Sequence, residues 1–533
     1  MGDTANSVKA LKFIPLLSQL KRIEARPTNR LASTGSNDVP SGTFTKPPSG
    51  GFFFTPMHSK LHHLQGRRTF LAQALGTAGI VTLAPALALG ASELVVANVT
   101  QIYPVQVARI DTPTTVQQVS ALVQAWNGKV AVGGGRYSMG GQVAVRGGLH
   151  LDMRQMNQLV WVRTDALLAR VQAGMRWRDL QDILDPLNLS VKTMQSYSNF
   201  TVGGAVSVNA HGRYVGHGPL GNTLQALQMV LADGSIVEAS LGENSDLFRA
   251  AIGGYGACGV ITEVELRLAH NVRIERTVAS VPLEQYVEHF DKSVLGDKAA
   301  ILHNADLLPP EFNAPVSVTW RETSKPLTEP ARLTPRGQSY GLEQNVLWGL
   351  TELPGAERLY KNVLHPLLQG KPAVKWLNHE ASLDLALLEP RTRRLSTYVL
   401  QEYFVPKDNF LPFTKALAAS LQRHHVEALN VSIRHSPADP LSVLPWAQVE
   451  VFSLVLYYKQ RTHAAARTQV GRWTRELIDL VLAHQGRYYL PYQLHATPAQ
   501  FDAAYPEAAL LRSIKQRFDP LGKFSNELWR KYL

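Results

Sequence analysis

The sequence predicts an α+β protein built from more than one packed unit. Its 533 residues are too many for one ordinary hydrophobic core. From about residue 98, short strand-like runs alternate with amphipathic helical segments. Two glycine-rich clusters interrupt this pattern, and the first directly follows a predicted strand. The mixture over 98–272 therefore predicts an α+β unit that carries glycine-rich ligand loops.

Basic charge is concentrated at the start of the chain. Residues 1–91 hold ten of the 54 Lys and Arg residues and three of the 42 acidic residues, and so carry +7 of the formal +12. The remainder is only mildly basic, which argues against nucleic acid as a partner. The composition of residues 1–56 predicts a disordered extension. Met57 is an alternative start of translation, and its use would leave residues 1–56 untranslated. The single cysteine, Cys258, excludes an internal disulfide and a cysteine-rich metal site.

A twin-arginine signal peptide is predicted over residues 57–91. Arg67 and Arg68 precede a short, weakly hydrophobic run over 72–89, in which Ala86-Leu87-Ala88 offers a cleavage site. We therefore expect export through the twin-arginine machinery to the periplasm or beyond, with association with the membrane surface as an alternative. A buried N-terminal helix is the competing interpretation of the same run.

Strand and helix signals follow in order along the first unit. Ala108-Arg109-Ile110 predicts a strand, and Thr114 is the expected N-cap of the next helix. The predicted strand 129–132 runs directly into the first glycine cluster. An Asp233-Gly234 turn predicts a hairpin. Alternation of polar and apolar residues over 260–268 predicts a strand with one solvent-exposed and one buried face.

A second region, from residue 273 to about 500, is also predicted to mix strands and helices. Its predicted strands are 316–320, 397–405, 426–434 and 449–458, and its predicted helices are 413–424 and 464–484. Residues 325–345 are predicted to form a loop.

The two glycine clusters carry the strongest chemical signal. The first runs from Gly133 to Gly141, and the second from Thr201 to Gly212. Glycines let the backbone approach an anion, so that N–H groups can converge on phosphate oxygens. Two such loops in one unit suit a pyrophosphate held between them. Neither has the spacing of a P-loop or of a G-x-G-x-x-G fingerprint, which argues against ATP and nicotinamide.

Further short motifs accompany the clusters. They are Leu151-Asp152-Met153 with Met156-Asn157, Val171 to Gly174, Leu231 to Gly234, Leu247-Phe248 with Gly253 to Gly256, Gly259 to Thr262, and Arg517 to Phe524 with Asn526. As a set and in this order they resemble the FAD-binding PCMH-type domain of the vanillyl-alcohol oxidase superfamily. Within it the chain is most similar to aldonolactone and alditol oxidases and to decaprenylphosphoryl-ribose oxidase.

This resemblance implies a two-part FAD-binding domain plus an α+β substrate domain with a sheet over the flavin. The implied divisions are an FAD-binding domain over 92–272, a substrate domain over 273–500 and a C-terminal segment, 501–533, that returns to the FAD domain. The residues that it implies for cofactor binding are Gly133, Gly134, Gly135, Arg136, Tyr137, Ser138, Thr201, Gly203, Gly204, Asn209, His211, Gly212, Gly256, Val260, Ile261 and Asn526.

One departure concerns the attachment of FAD. Family members that bind FAD through histidine carry that histidine before the serine of the first loop, where this chain has Tyr137 before Ser138. We therefore expect non-covalent FAD. Cys258 is expected to be a small buried residue near the adenine rather than a flavin link. Arg136 either neutralises pyrophosphate charge or is a solvated loop residue.

Four residues are candidates for catalysis. Strand alternation puts Gln401 and Tyr403 on one side and Glu402 on the other. Gln401 and Tyr403 either line a substrate pocket together or pack between sheet and helix. Relatives carry a lysine near the position of Tyr492, and this chain has none there. Tyr492 or His495 is the expected replacement as proton acceptor, with a structural role as the alternative for His495.

The resulting prediction is an FAD-dependent oxidoreductase that oxidises a CH–OH group of a sugar, sugar alcohol or aldonolactone-like substrate. Its electron acceptor would be oxygen or a redox carrier. The alternatives are an oxidase of a lipid-linked sugar phosphate at the membrane surface and a non-catalytic exported binding protein.

Overall fold

The computed structural model describes residues 94–340, 372–390 and 392–533, together with 344, 349–351, 358, 361 and 362. The predicted extension, 1–56, and the predicted signal peptide, 57–91, lie outside the described residues. Within the described part of the chain, no helix combines the length and apolar character needed to cross a membrane.

Strands and helices are mixed throughout, which confirms the predicted α+β class. The strands of the first unit are β1 Leu94–Val96, β2 Val105–Val107, β3 Arg109–Asp111, β4 Val130–Gly133, β5 Leu149–Asp152, β6 Leu159–Arg163, β7 Leu168–Gln172, β8 Leu189–Val191, β9 Leu224–Val230, β10 Ile236–Ser240 and β11 Val260–His270. Its helices are α1 Val116–Ala125, α2 Trp177–Leu184, α3 Val202–Ser207 and α4 Ser245–Ala251.

Strands β3 to β11 form a small parallel sheet beside a larger antiparallel one, and β1 and β2 form a separate antiparallel pair. The parallel sheet has the order β3-β5-β4, and the antiparallel sheet has the order β10-β9-β11-β7-β6, with β8 also paired to β11. Val119 and Val123 of α1 pack with Leu149 of the parallel sheet and Val260 of the antiparallel sheet in one core. The N-cap of α1 is Thr115, which accepts a hydrogen bond from the backbone N–H of Gln118, so the expectation of Thr114 was wrong by one residue.

The second region is built on one antiparallel sheet. Its strands are β12 Arg273–Ser280, β13 Ala300–Leu307, β14 Val316–Glu322, β15 Val374–Trp376, β16 Ser396–Pro406, β17 Ala428–Ser436, β18 Val451–Arg461 and β19 Arg487–Tyr488. Its helices are α5 Tyr286–Phe290, α6 Leu377–Ala381, α7 Phe410–Arg423 and α8 Ala464–Ala483. The strand order is β15-β12-β14-β13-β17-β18-β16-β19.

Three C-terminal helices follow, α9 Pro498–Ala504, α10 Ala508–Phe518 and α11 Glu527–Tyr532. The Gln500 side chain of α9 donates to the Arg475 carbonyl of α8 over 3.0 Å, whereas the residues beyond α10 return to the first unit. Phe524 pairs in parallel with Val130 of β4, and the Ser525 N–H donates to the Val130 carbonyl over 3.0 Å. The Trp529 indole donates to the Gly254 carbonyl over 3.0 Å. The C-terminal segment therefore extends the parallel sheet. The divisions at 272 and 500 stay predictions.

Candidate active site

The first glycine cluster follows β4 and is packed tightly against the second. A Cβ atom on Gly134 would lie 2.2 Å from Oγ1 of Thr201, so a larger residue there would displace the Thr201 side chain. Arg136 has a positive φ of 61° and turns its guanidinium to Asp152, 2.8 Å away. Arg136 is therefore a paired, half-buried residue, and not the solvated loop residue of the alternative interpretation.

The second cluster forms the short helix α3, which begins beside the first loop. A Cβ atom on Gly203 would lie 2.5 Å from that of Ala173 at the end of β7, so the helix packs directly on the antiparallel sheet. Gly256, in the loop before β11, has a positive φ of 72°, and a Cβ atom there would meet nothing within 4 Å. Its backbone thus faces open space.

These loops enclose one end of a cavity of about 640 Å³. The sequence-predicted cofactor residues that line it are Gly134, Gly135, Arg136, Tyr137, Ser138, Thr201, Gly203, Gly204, His211, Gly256 and Ile261. Two buried donors in the wall, Nε of Arg136 and Oγ of Ser196, have no hydrogen-bond partner among the described residues. A glycine-lined wall with unsatisfied donors fits the phosphate and ring groups of FAD.

Five predicted cofactor residues do not line the cavity. Gly133 packs against the His150 ring, and Gly212 against the Met194 carbonyl, where a Cβ atom would lie 2.4 Å and 2.0 Å away respectively. Val260 is completely buried in the core. These three residues support the glycine-rich loops on the side that faces away from the cavity.

The other two of the five are asparagines with structural hydrogen bonds. Asn209 donates to Asp439 over 2.8 Å and accepts from the Gly221 N–H over 3.0 Å. Asn526 caps α11, and its amide donates to the Tyr255 carbonyl over 2.8 Å. The side chains of both asparagines connect neighbouring loops. The family resemblance therefore implied some residues that support the cavity from outside, as well as residues that line it.

The other end of the cavity is formed by one face of the large sheet. Alternate residues of four neighbouring strands face it, namely Asn304 and Asp306 of β13, Tyr398, Leu400 and Glu402 of β16, Asn430, Ser432 and Arg434 of β17, and Val455 and Tyr457 of β18. The cavity thus lies between the glycine-rich loops and this sheet.

The predicted pocket role of Gln401 and Tyr403 is wrong. Their side chains lie on the opposite face of β16, where the Gln401 amide donates to Thr474 of α8 over 2.7 Å and the Tyr403 hydroxyl donates to Gln401 over 2.6 Å. The predicted alternation is correct, but the face toward the cavity carries Glu402. The helices α7 and α8 cover the Gln401 face.

Glu402 is the centre of a buried hydrogen-bond cluster in the cavity wall. Its Oε1 lies 2.5 Å from His211 Nε2 and accepts from the Ser453 hydroxyl over 2.5 Å. Its Oε2 accepts from the Tyr492 hydroxyl over 3.1 Å. Burial opposes ionisation, but His211 and the donors around the carboxylate hold the pKa of Glu402 below its ordinary value.

Aromatic packing fixes His211 and Tyr492 in this cluster. The His211 ring lies 4.9 Å from Trp446 and 5.6 Å from Phe404, measured between ring centroids. The Tyr489 hydroxyl donates to the Val208 carbonyl over 2.8 Å, and its ring meets that of Tyr492 edge-on. Burial, and then the charge of Glu402, raise the pKa of Tyr492 well above its ordinary value. Tyr492 is therefore held as a neutral hydroxyl that points at a carboxylate.

His495, the other candidate proton acceptor, does not line the cavity. Its ring packs on Gly471 of α8 and lies 3.2 Å from the Gln493 side-chain oxygen. Burial and the positive charges of Lys531 and Arg475 lower its pKa to about 4. His495 therefore lies outside the cavity, among packing contacts with α8 and Gln493.

Arg434 is a cavity residue that the sequence did not indicate. Its Nε is buried and has no hydrogen-bond acceptor among the described residues. Asp306 and Asn430 lie on the same sheet face, with their side chains 3.4 Å apart. Donors and acceptors in this arrangement suit a ligand with several hydroxyl groups.

Cys258 lines the cavity and is buried. Burial raises the pKa of its thiol to about 12, which makes it a poor nucleophile. Tyr137 also lines the cavity, and its ring packs on Phe200 with centroids 4.5 Å apart. Among the described residues, no group of three or more His, Cys, Asp or Glu side chains is arranged to hold a metal ion.

Comparison with known proteins identifies the glycine-rich unit. Residues 106–240 match the family described as FAD binding domain. The chain is an FAD-dependent oxidoreductase, and residues 106–240 are the part that matches this domain family. The glycine-rich loops and the cavity that they line suit FAD, which is the cofactor of the enzyme. The alternative prediction of a non-catalytic binding protein is therefore wrong.

Several curated oxidoreductases are similar to the chain over most of its length. L-gulonolactone oxidase of Bos taurus is 25% identical over 79% of this chain and 93% of its own length. Decaprenylphosphoryl-beta-D-ribose oxidase of Mycolicibacterium smegmatis is 24% identical over 77% of this chain and 90% of its own length. Cytokinin dehydrogenase 2 of Arabidopsis thaliana is 32% identical over a shorter stretch, 32% of this chain and 35% of its own length.

Proposed function

We propose that this enzyme oxidises a CH–OH group of a sugar, sugar alcohol or aldonolactone-like substrate. The observation that carries the proposal is the buried Tyr492–Glu402 hydrogen bond in the wall of a cavity that the FAD-binding loops also line. The two relatives that are similar over most of the chain, L-gulonolactone oxidase and decaprenylphosphoryl-beta-D-ribose oxidase, support a sugar-like substrate.

FAD, when bound, supplies a hydride acceptor for the carbon of the alcohol. The residues that would hold it are the cavity-lining members of the glycine-rich loops, from Gly134 to Ser138 and from Thr201 to Gly204, with Gly256 and Ile261 beyond them. Backbone N–H groups of such loops stabilise phosphate oxygens.

The protein's own part in the reaction is to accept the hydroxyl proton. A substrate hydroxyl beside Tyr492 would donate to the tyrosine oxygen while the tyrosine O–H donates to Oε2 of Glu402. A proton leaving the substrate can then pass through the hydroxyl of Tyr492 to Glu402. His211 and Ser453, both on Oε1, keep the carboxylate in place and in its ionised form before the transfer.

The polar face of the sheet would orient the substrate. Arg434 offers an unsatisfied donor, and Asp306 and Asn430 offer acceptors to neighbouring hydroxyls. Fixing several hydroxyls of one molecule holds the reacting carbon in a single position, which lowers the entropic part of the barrier.

Anaerobic mixing tests the proposal. The purified FAD-loaded protein is mixed with aldono-1,4-lactones, alditols and free sugars, and the loss of oxidised flavin absorbance is followed. We expect at least one of these compounds to reduce the flavin. A protein that holds FAD but is reduced by no polyhydroxy compound would contradict the proposal. Oxygen consumption with the same substrate separates an oxidase from a dehydrogenase that uses a redox carrier.

We also propose that the enzyme is exported through the twin-arginine pathway. The support is the sequence alone, in which Arg67 and Arg68 precede an apolar run and a small-residue cleavage site. In the native host, replacing both arginines by lysine should retain the flavoprotein in the cytoplasm, whereas the native chain should be found outside it. Equal distribution of the two chains would refute export by this route.

A further inference from the structure

The loop over residues 254–258, here called the 254–258 loop, forms part of the cavity wall between α4 and β11. Residues 255–258 line the cavity. Tyr255 and Gly256 have positive φ values of 49° and 72°. A tyrosine rarely adopts this left-handed conformation, which persists only where the surrounding contacts hold it. The contacts around this loop therefore determine the shape of the wall.

Two backbone N–H groups of the 254–258 loop are available to a ligand. The N–H groups of Gly256 and Cys258 have no hydrogen-bond partner among the described residues. The N–H of Ala257, between them, donates to the Gly254 carbonyl over 2.9 Å. A buried N–H group normally has a partner, and N–H groups in turns of this kind bind anionic oxygens such as those of phosphate. The two available N–H groups therefore suit oxygen atoms of FAD.

Three side chains of the C-terminal segment donate hydrogen bonds to carbonyl groups of the same loop. These bonds run from Trp529 to Gly254 over 3.0 Å, from Asn526 to Tyr255 over 2.8 Å and from Lys515 to Ala257 over 2.7 Å. The donors lie 258 to 275 residues further along the chain than their acceptors. They are not among the described residues that line the cavity, so they contact the loop on a side that faces away from it.

The donors are themselves fixed within the C-terminal segment. Nζ of Lys515 also donates to Asp519 over 2.6 Å and to the Phe524 carbonyl over 2.8 Å. Oδ1 of Asn526 accepts from the Trp529 N–H over 3.1 Å, as the cap of α11. Asn526 and Trp529 are each 3% exposed. Buried side chains with this many partners keep one orientation, and so do the carbonyl groups that they hold.

Peptide planes connect the held carbonyl groups to the available N–H groups. One plane carries the Tyr255 carbonyl and the Gly256 N–H, and another carries the Ala257 carbonyl and the Cys258 N–H. In a planar trans peptide the carbonyl and the N–H point in opposite directions. The C-terminal donors hold both carbonyls on the side away from the cavity, and the two N–H groups consequently point toward it.

We infer that Asn526 and Lys515 are positioning residues for FAD. They act through the 254–258 loop, where they direct the N–H groups of Gly256 and Cys258 toward acceptor atoms of FAD. Asn526, which the family resemblance implied as a cofactor residue, thus acts on FAD through the Gly256 N–H. This inference rests on FAD as the cofactor and does not depend on which substrate is oxidised.

The test compares the affinity for FAD with the stability of the protein without FAD. Asn526→Ser retains a residue that caps α11 but removes the amide that binds the Tyr255 carbonyl. FAD is removed from the purified full-length protein, and its dissociation constant is measured by titration of flavin fluorescence. We expect the constant to rise about fivefold, the equivalent of one ordinary hydrogen bond. Lys515→Met should weaken binding at least as much. FAD content as purified is a second readout that needs no removal of FAD.

Tyr532→Phe is the matched control from the same helix. The Tyr532 hydroxyl donates to the Ala496 carbonyl over 2.8 Å, and Ala496 does not line the cavity. This variant also loses one buried hydrogen bond between the C-terminal segment and a backbone carbonyl. Its melting temperature without FAD should fall as in Asn526→Ser, whereas its dissociation constant for FAD should not change.

Amide hydrogen exchange on the native protein tests the same inference without any substitution. The N–H groups of Gly256 and Cys258 should exchange more slowly when FAD is bound. Exchange that FAD does not slow at either residue would overturn the inference.

Two results with the variants would also overturn it. An unchanged dissociation constant in Asn526→Ser, together with a lowered melting temperature, would mean that the C-terminal segment only stabilises the fold. Equal loss of affinity in Tyr532→Phe and Asn526→Ser would mean that any weakening of this segment releases FAD. Neither result affects the proposed oxidation of a polyhydroxy compound, which is tested by reduction of the flavin.

Discussion

The Tyr492 hydroxyl donates a hydrogen bond to the Glu402 carboxylate over 3.1 Å, joining the loop after β19 to the cavity face of β16. The remaining oxygen of Glu402 is occupied by His211 and Ser453. A tyrosine that points at an ionised, buried carboxylate can lose its own proton to the carboxylate as it receives another. This geometry makes the pair the expected proton acceptor for an alcohol substrate.

Replacing Tyr492 by phenylalanine should slow flavin reduction by about 100-fold, because general-base catalysis contributes at least that factor. FAD content should not change. Tyr214→Phe is the matched control, since the Tyr214 hydroxyl is buried, has no hydrogen-bond partner among the described residues and does not line the cavity. Anaerobic stopped-flow measurement of flavin absorbance gives both rates. Equal rates in the two variants would mean that Tyr492 has no part in the proton transfer.

Glu402→Gln should also slow flavin reduction, because the amide cannot accept the proton that Tyr492 passes on. Since the two residues act as one unit, the double variant with Tyr492→Phe should be hardly slower than the worse single variant. The three rates are measured at one pH with one substrate. Losses that multiply in the double variant would show that the two residues act independently.

The sequence predicted the glycine-rich loops and about half of the strands of the described residues, because glycine spacing and alternation are local signals. It could not tell which face of β16 meets the cavity, since Gln401 and Glu402 are both polar and the answer depends on where α8 packs. It also missed β13, whose polar residues Asn304 and Asp306 weaken its apolar alternation. Arg434 was found only through the pairing of β17 with β18, which no local pattern encodes.

The two faces of the sheet should respond differently to substitution. Gln401→Leu removes buried hydrogen bonds to Tyr458 and Thr474 and should lower stability by about 1 to 3 kcal/mol, with KM almost unchanged. Arg434→Gln should instead raise KM several-fold or more, with a smaller effect on stability. Thermal melting and steady-state kinetics on both variants test the assignment. A raised KM in Gln401→Leu with normal stability would show that Gln401, and not Arg434, acts on the substrate.

FAD should leave the protein when it is denatured. The first loop has Tyr137 where histidine-linked relatives have their histidine, and in the cavity wall His211 is paired with Glu402 while the pKa of Cys258 is raised to about 12. None of these is a free nitrogen or sulfur nucleophile. Acid precipitation of the yellow protein should therefore release the colour into the supernatant. Colour that stays in the pellet would establish a covalent link.

Stability should fall in mild acid because of buried histidines. Burial, followed by the charges of neighbouring histidines and Arg321, lowers the pKa of His303 to about 3, against an ordinary value of 6.5. Between these values the unfolded chain binds a proton that the folded chain does not, so stability is lost as pH falls below about 6.5. From pH 7 to pH 5 this one group costs about 2 kcal/mol.

Urea unfolding at pH 7, 6 and 5 measures the effect, and His303→Gln should reduce its dependence on pH. Glutamine keeps a hydrogen-bonding group next to Tyr286 and Thr319 but does not take up the proton. His270→Gln is the control, because His270 is exposed at the end of β11, and it should leave the pH dependence unchanged. If the native protein and His303→Gln lose the same free energy of unfolding between pH 7 and pH 5, His303 is not one of the groups that sense acid.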